Sequence, residues 1–150
     1  PGIILYGVSP FLDRPAADFK LKPALTLTAQ IIAIRQHKKG EYIGYGCAYR
    51  CARDSIIGVI NIGYADGYPR TAQSGVPVLI NGQRCPLVGR VSMDLITIDL
   101  TDLPTLPSIG DQAVLWGKGL PIEEVARQAN RYPYELLSQI TSRVTYINKE

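Results

Sequence analysis

Val78-Leu79-Ile80 runs into Asn81-Gly82 and leaves through Gln83 to Leu87. Asn-Gly between apolar runs suits the two positive φ values of a type I′ turn, so this stretch is predicted to be a β-hairpin. The same extended character recurs. Ala24 to Ile34 alternates: Leu25, Leu27, Ala29, Ile31 and Ala33 fall on one face, and Thr26, Thr28, Gln30, Ile32 and Ile34 on the other. Ser55 to Ile62 is β-branched, Leu95 to Leu100 alternates again, and Gln112 to Trp116 is a further strand candidate. Only the end reads as helix. Pro121 to Ala129 opens with proline and two acids and carries an Ile122, Val125, Ala126 and Ala129 stripe. Pro133 to Ile140 reads as a second short helix. The sum is a mainly antiparallel β domain. At the other end, Gly2 to Val8 is an apolar run that reads as a buried strand of the parallel-sheet kind, followed by a connector.

Composition narrows the function. A chain of 150 residues, 46% hydrophobic and 19% charged, buries a core and is not disordered. No apolar stretch approaches the roughly 18 residues of a membrane span. The net charge of +3 is too mild to argue for nucleic acid by itself. Cys47, Cys51 and Cys85 are odd in number and lack C-x-x-C spacing, which predicts a reducing, cytoplasmic setting and no metal site. There is no signal-peptide pattern. A chain opening on Pro1-Gly2 inside an apolar run reads as a piece of something longer.

Two motifs stand apart from the core pattern. Gly44-Tyr45-Gly46 and Gly63-Tyr64-Ala65-Asp66-Gly67 each set a tyrosine between small residues, at a bend with room around its hydroxyl. Arg70, Arg90 and the run Val88-Gly89-Arg90-Val91-Ser92-Met93-Asp94 lie close in sequence. Together they suggest an active-site rim. A partner base is missing. His37 sits in a polar turn, Cys47 and Cys51 read as packing residues, and Lys20, Lys22, Lys38, Lys39, Lys118 and Lys149 all sit in polar contexts. A lysine that forms a Schiff base needs a desolvated setting.

These motifs, with Pro1-Gly2-Ile3-Ile4-Leu5-Tyr6-Gly7, Gly110-Asp111 and Tyr134-Glu135-Leu136 in the same order, resemble the C-terminal part of the alanine racemases, which are pyridoxal-phosphate (PLP) enzymes. The resemblance covers essentially the whole chain. It implies an antiparallel, barrel-like β domain with short helices near the C-terminus. Residues 1–22 would be the last strand of a (β/α)8 barrel and its connector, and 23–150 the β domain. The barrel and its cofactor lysine would precede Pro1. Each β domain of a head-to-tail homodimer would complete its partner's site, leaving this part inactive alone.

Residue by residue, the resemblance makes Tyr45 the acid/base that serves one face of the substrate Cα. A phenol titrates near ~10, so this work needs positive charge or hydrogen bonds nearby. Tyr64, Arg70 and Arg90 would line the substrate entrance. The Met93 amide would hold the substrate carboxylate, with Asp94 beside it. Gly2, Ile3 and Tyr134 would contact the PLP phosphate. The implied partners are a small amino acid and a second subunit, with no nucleic acid, membrane or metal. Two other readings compete. Nine tyrosines and several arginines on a β scaffold could stack bases, making a stand-alone module that binds nucleic acid or protein. PLP decarboxylases of similar architecture are the other, though Gly-Tyr-Ala-Asp-Gly and Ser-Met-Asp-Leu favour the racemase.

Overall fold

The computed structural model describes residues 2–11 and 13–148. Apolar alternation dominates it. The strands are β1 (Leu27–His37), β2 (Tyr42–Ile43), β3 (Tyr49–Arg50), β4 (Ser55–Ile60), β5 (Pro77–Ile80), β6 (Gln83–Pro86), β7 (Ile96–Asp99) and β8 (Gln112–Trp116). Helices α1 (Ile122–Gln128) and α2 (Pro133–Ser138) follow. Six strands form one sheet in the order β6-β5-β8-β1-β4-β7, and β2 pairs with β3 apart from it. Every pairing is antiparallel. The two ends of the sheet meet where Leu87 bridges Ile98 and the Val88 N–H donates to the Thr97 carbonyl at 2.9 Å. The sheet therefore nearly closes into a barrel, which leaves few unpaired edges.

β1 is the long staple of this barrel. Its first half pairs with β8, from Leu27 opposite Trp116 to Gln30 opposite Gln112, and its second half with β4, from Ile31 opposite Ile60 to His37 opposite Ser55. A bulge between Ile31 and Ala33 lets one strand serve both neighbours. It also inverts the expected phase: Ile34, placed by alternation on the face opposite Ile31, packs against the same core as Ile31. The hairpin at Asn81-Gly82 forms as predicted, with φ of 48° and 80° at the two turn residues.

Inside lie Ile31, Ile60, Ile80, Leu87, Ile98 and Trp116, all fully buried. Burying each aliphatic side chain contributes about 1.5–3 kcal/mol. The helices close one side with the predicted stripe, Ile122, Val125, Ala126 and Ala129 being buried. Arg84 on β6 holds α1 by a two-pronged pair to Glu124, at 3.1 and 3.0 Å.

The strand expected over Gly2–Val8 does not form. Ile3–Tyr6 is a single 3-10 turn, bounded by Gly2 at φ 98° and Gly7 at φ 74°, neither an extended conformation. Only Ile3 and Val8 of the apolar residues are buried, while Ile4, Leu5 and Tyr6 are exposed. A short apolar run does not by itself separate strand from helical turn. Pro1, part of that motif, lies outside the described residues.

Candidate active site

Three turns converge at one end of the barrel. The first joins β2 to β3. Gly44, Gly46 and Cys47 all have positive φ, at 75°, 67° and 52°. This run of left-handed residues throws Tyr45 outward, where it is 74% exposed. Cys47 is therefore exposed, contrary to the packing role expected of it, whereas Cys51 is buried.

The second turn follows β4. Tyr64–Asp66 is a 3-10 turn, and Asp66 Oδ2 accepts the Gly63 N–H at 2.9 Å. The third turn precedes β7, where the Ser92 hydroxyl accepts the Leu95 N–H at 3.0 Å and donates to the Leu95 carbonyl at 2.9 Å. The second and third turns are bonded together. The Tyr64 N–H donates to the Ser92 carbonyl at 3.1 Å, and the Ala65 N–H to the Met93 carbonyl at 3.0 Å. Among the described residues, no hydrogen bond engages the Met93 N–H.

Between the turns lies a groove of about 840 Å³, bordered by Tyr45, Tyr64, Arg70, Arg90 and Met93. The Arg70 guanidinium stacks over the Tyr64 ring at 5.4 Å. That of Arg90 lies against Gly46, where an added Cβ would stand 3.4 Å from Nη1. Two cations and two phenols thus face one open space. Such a space attracts small anions and restricts their size.

Asp94 does not border the groove. Its carboxylate is turned to Arg143, whose Nη2 lies 2.6 Å from Oδ1. Arg143 Nε is also 3.1 Å from Asp66 Oδ1. The Asp94 hydrogen bond holds the guanidinium above its ordinary pKa, against a smaller opposing effect of desolvation, and the Asp66 charge adds less than either. Arg143 is a residue that sequence reasoning missed, as is Ser74, whose Oγ accepts the Gly89 N–H at 3.0 Å. Neither belongs to a local motif.

Ile3 and Tyr134 are elsewhere. Both border a second cavity of about 590 Å³, beside Arg127 and Arg131. Gly2 is exposed just before Ile3. Lys20, Lys22, Lys38, Lys39 and Lys118 all lie at the surface, and Lys149 lies outside the described residues. Among the described residues, no group of three or more His, Cys, Asp or Glu side chains could hold a metal, and no helix is long and apolar enough to cross a membrane.

The sequence pattern of the family described as "Alanine racemase, C-terminal domain" matches residues 24–148. The chain belongs to this family. It is 58% identical to the alanine racemase of Aeromonas hydrophila over 96% of the chain and 40% of that relative. It is 50% identical to that of Coxiella burnetii, over the whole chain and 42% of the relative. The biosynthetic alanine racemase of Pseudomonas aeruginosa superimposes with a TM-score of 0.93 at 51% identity, over 96% of this chain and 40% of that one. The alanine racemase of Bartonella henselae, solved with covalently bound pyridoxal phosphate, gives 0.88 at 38%, over 98% and 40%. The chain thus spans about two-fifths of the length of the curated relatives it matches. The matched family is that of a racemase domain, neither a decarboxylase nor a stand-alone binding module.

Proposed function

We propose that this chain is the C-terminal part of a PLP-dependent racemase that interconverts L- and D-alanine, for peptidoglycan precursors or D-alanine catabolism in the cytoplasm. In this reading residues 1–22 lead in from a preceding barrel, 23–150 form the β domain, and the groove serves a second subunit's active site. The observation that carries the reading is a division. Tyr45, Tyr64, Arg70, Arg90 and Met93 border one cavity, whereas Ile3 and Tyr134 border another. Groups meant for one active site would share one cavity. A head-to-tail dimer needs them apart, because each subunit gives one set to its own site and the other to its partner's.

The residues do distinct work. The unengaged Met93 N–H binds the substrate carboxylate whatever its side chain, and Arg70 and Arg90 draw the anion in. Tyr64 narrows the passage. The Tyr45 hydroxyl, on its outward bend, gives or takes the proton on one face of Cα, with two guanidinium groups in the same groove. The second cavity fits the phosphate end of PLP. It is bordered by Ile3, the exposed Tyr134, Arg127 and Arg131, and nothing lies within 4 Å of where a Cβ on the adjacent Gly2 would be. Bound PLP supplies the electron sink for the charge left at Cα. The surface lysines give the described part of this chain no desolvated amine for it, so the part alone is inactive.

Tyr45→Phe in the full-length enzyme tests the assignment. Racemisation should fall about 10²–10⁴-fold in both directions, since the overall equilibrium ties them. Solvent deuterium should still enter Cα of one enantiomer, the one whose proton the other base removes. Racemisation near the wild-type rate, or loss of exchange from both enantiomers alike, would remove Tyr45 from this role.

A further inference from the structure

We propose that Arg143 is a positioning residue for this groove, tying the turn that carries Tyr64 to the turn that carries Met93 through Asp66 and Asp94. The proposal deepens the racemase reading, and its kinetic arm rests on that reading.

The geometry is that of a rivet. One guanidinium spans two carboxylates on different turns, at 3.1 Å to Asp66 and 2.6 Å to Asp94. Its planar group puts Nη2 on Asp94 in a hydrogen bond and Nε against Asp66 in an ion pair, in directions fixed by the plane that a lysine's rotating ammonium would not fix. Asp66 is the better fixed of the two. Its side chain is only 13% exposed, and its other oxygen already accepts the Gly63 N–H. The segment bearing Arg143 is itself anchored. Thr141 Oγ1 donates to the Ala65 carbonyl at 2.8 Å, the Thr141 N–H donates to the Asp66 carbonyl at 3.2 Å, and Val144 packs on the core. Neither aspartate nor Arg143 borders the groove, so the guanidinium acts from behind it.

Charge adds to the case. Asp94 is next to Met93, whose amide is proposed to bind a carboxylate. An uncompensated carboxylate there would repel the substrate, and Arg143 neutralises it. A single exposed ion pair would matter little. Here the pair fixes the relative position of two groove walls whose backbones already touch, so the expected effect is on substrate geometry more than on folding.

The test uses the full-length protein with Arg143→Met, Asp94→Asn and both together. Arg143→Met should raise KM for both alanine enantiomers about tenfold with kcat within about threefold, because it loosens binding geometry without removing a reacting group. Asp94→Asn should raise KM less, and the double variant should be no worse than Arg143→Met, since both remove one contact. An unchanged KM, or effects that multiply, would overturn the proposal. A second readout needs no activity. The Tyr64 and Ala65 amide hydrogens, bonded to Ser92 and Met93, should exchange at least about fivefold faster in Arg143→Met while the β1 amides do not change. If the protein proved not to be a racemase, exchange would still decide the rivet. Unmoved amides and KM in an active enzyme would sink the rivet alone. Should Arg143→Met fail to fold, Asp66→Asn and Asp94→Asn, singly and combined, take its place. Faster exchange at Tyr64 and Ala65 with a raised KM would then support the rivet, and unchanged exchange would overturn it.

Discussion

Gly63 lies so close to Met93 that a Cβ built on it would overlap the Met93 carbonyl oxygen. Its φ of −150° is open to any residue, so contact and not conformation requires glycine here. The groups it would meet, the Met93 and Ser92 carbonyls, are backbone and cannot swing aside. Gly63→Ala should therefore cost about 1–3 kcal/mol through overpacking. The denaturation midpoint in urea would fall with an unchanged slope. A midpoint equal to wild type would mean that the two turns separate freely.

Tyr68 and Trp116 stack at 6.1 Å in the core, and neither the Tyr68 hydroxyl nor the Trp116 Nε1 has a hydrogen-bond partner among the described residues. Burial pushes the Tyr68 hydroxyl well above its ordinary value. Above about pH 10 the unfolded chain releases this proton while the folded chain keeps it, so stability present below that pH is lost as pH rises. Tyr68→Phe removes an unsatisfied group. It should hold or gain up to about 1 kcal/mol at neutral pH and should flatten the alkaline decline. Burial also raises the Cys85 thiol to about 11, so a residual decline from about pH 9 should survive in the variant. Chemical denaturation from pH 7 to 11 measures both. A marked loss at pH 7 would reveal a partner for the hydroxyl.

Arg70 rests on the Tyr64 ring at the groove, so its removal takes away both a cation and a support. Arg70→Met in the full-length enzyme should lower kcat/KM about 3- to 10-fold, mostly through KM, and weaken its dependence on ionic strength. Steady-state kinetics at two salt concentrations suffice. Unaltered salt dependence would make Arg70 a bystander.

The β framework was legible because alternation and Asn81-Gly82 are local signals. The β1 bulge was not, since nothing in Ile31-Ile32-Ala33 marks where one strand must turn between two partners. The segment Gly2–Val8 misled for a similar reason: hydrophobicity says what is buried, not how the backbone runs. At the site, Tyr45, Tyr64, Arg70, Arg90 and Met93 lie within recognisable motifs and are brought together by the fold. Arg143 has no local signature, because its partner Asp94 is 49 residues away and a lone arginine between Ser142 and Val144 carries no pattern. That Ile3 and Tyr134 belong to a different cavity from Tyr45 was equally invisible, because separation in space has no signature in the chain.

Subunit complementation addresses the central claim, that Tyr45 serves a neighbouring polypeptide. Full-length subunits carrying Tyr45→Phe would be mixed, unfolded and refolded with full-length subunits whose cofactor lysine is replaced. Each parent is inactive. If the phenol is supplied across the interface, each hybrid dimer regains about one working site of its two, and activity returns with the fraction of hybrids. If activity stays at the level of the two parents although hybrid dimers form, Tyr45 acts within its own subunit and the account is contradicted.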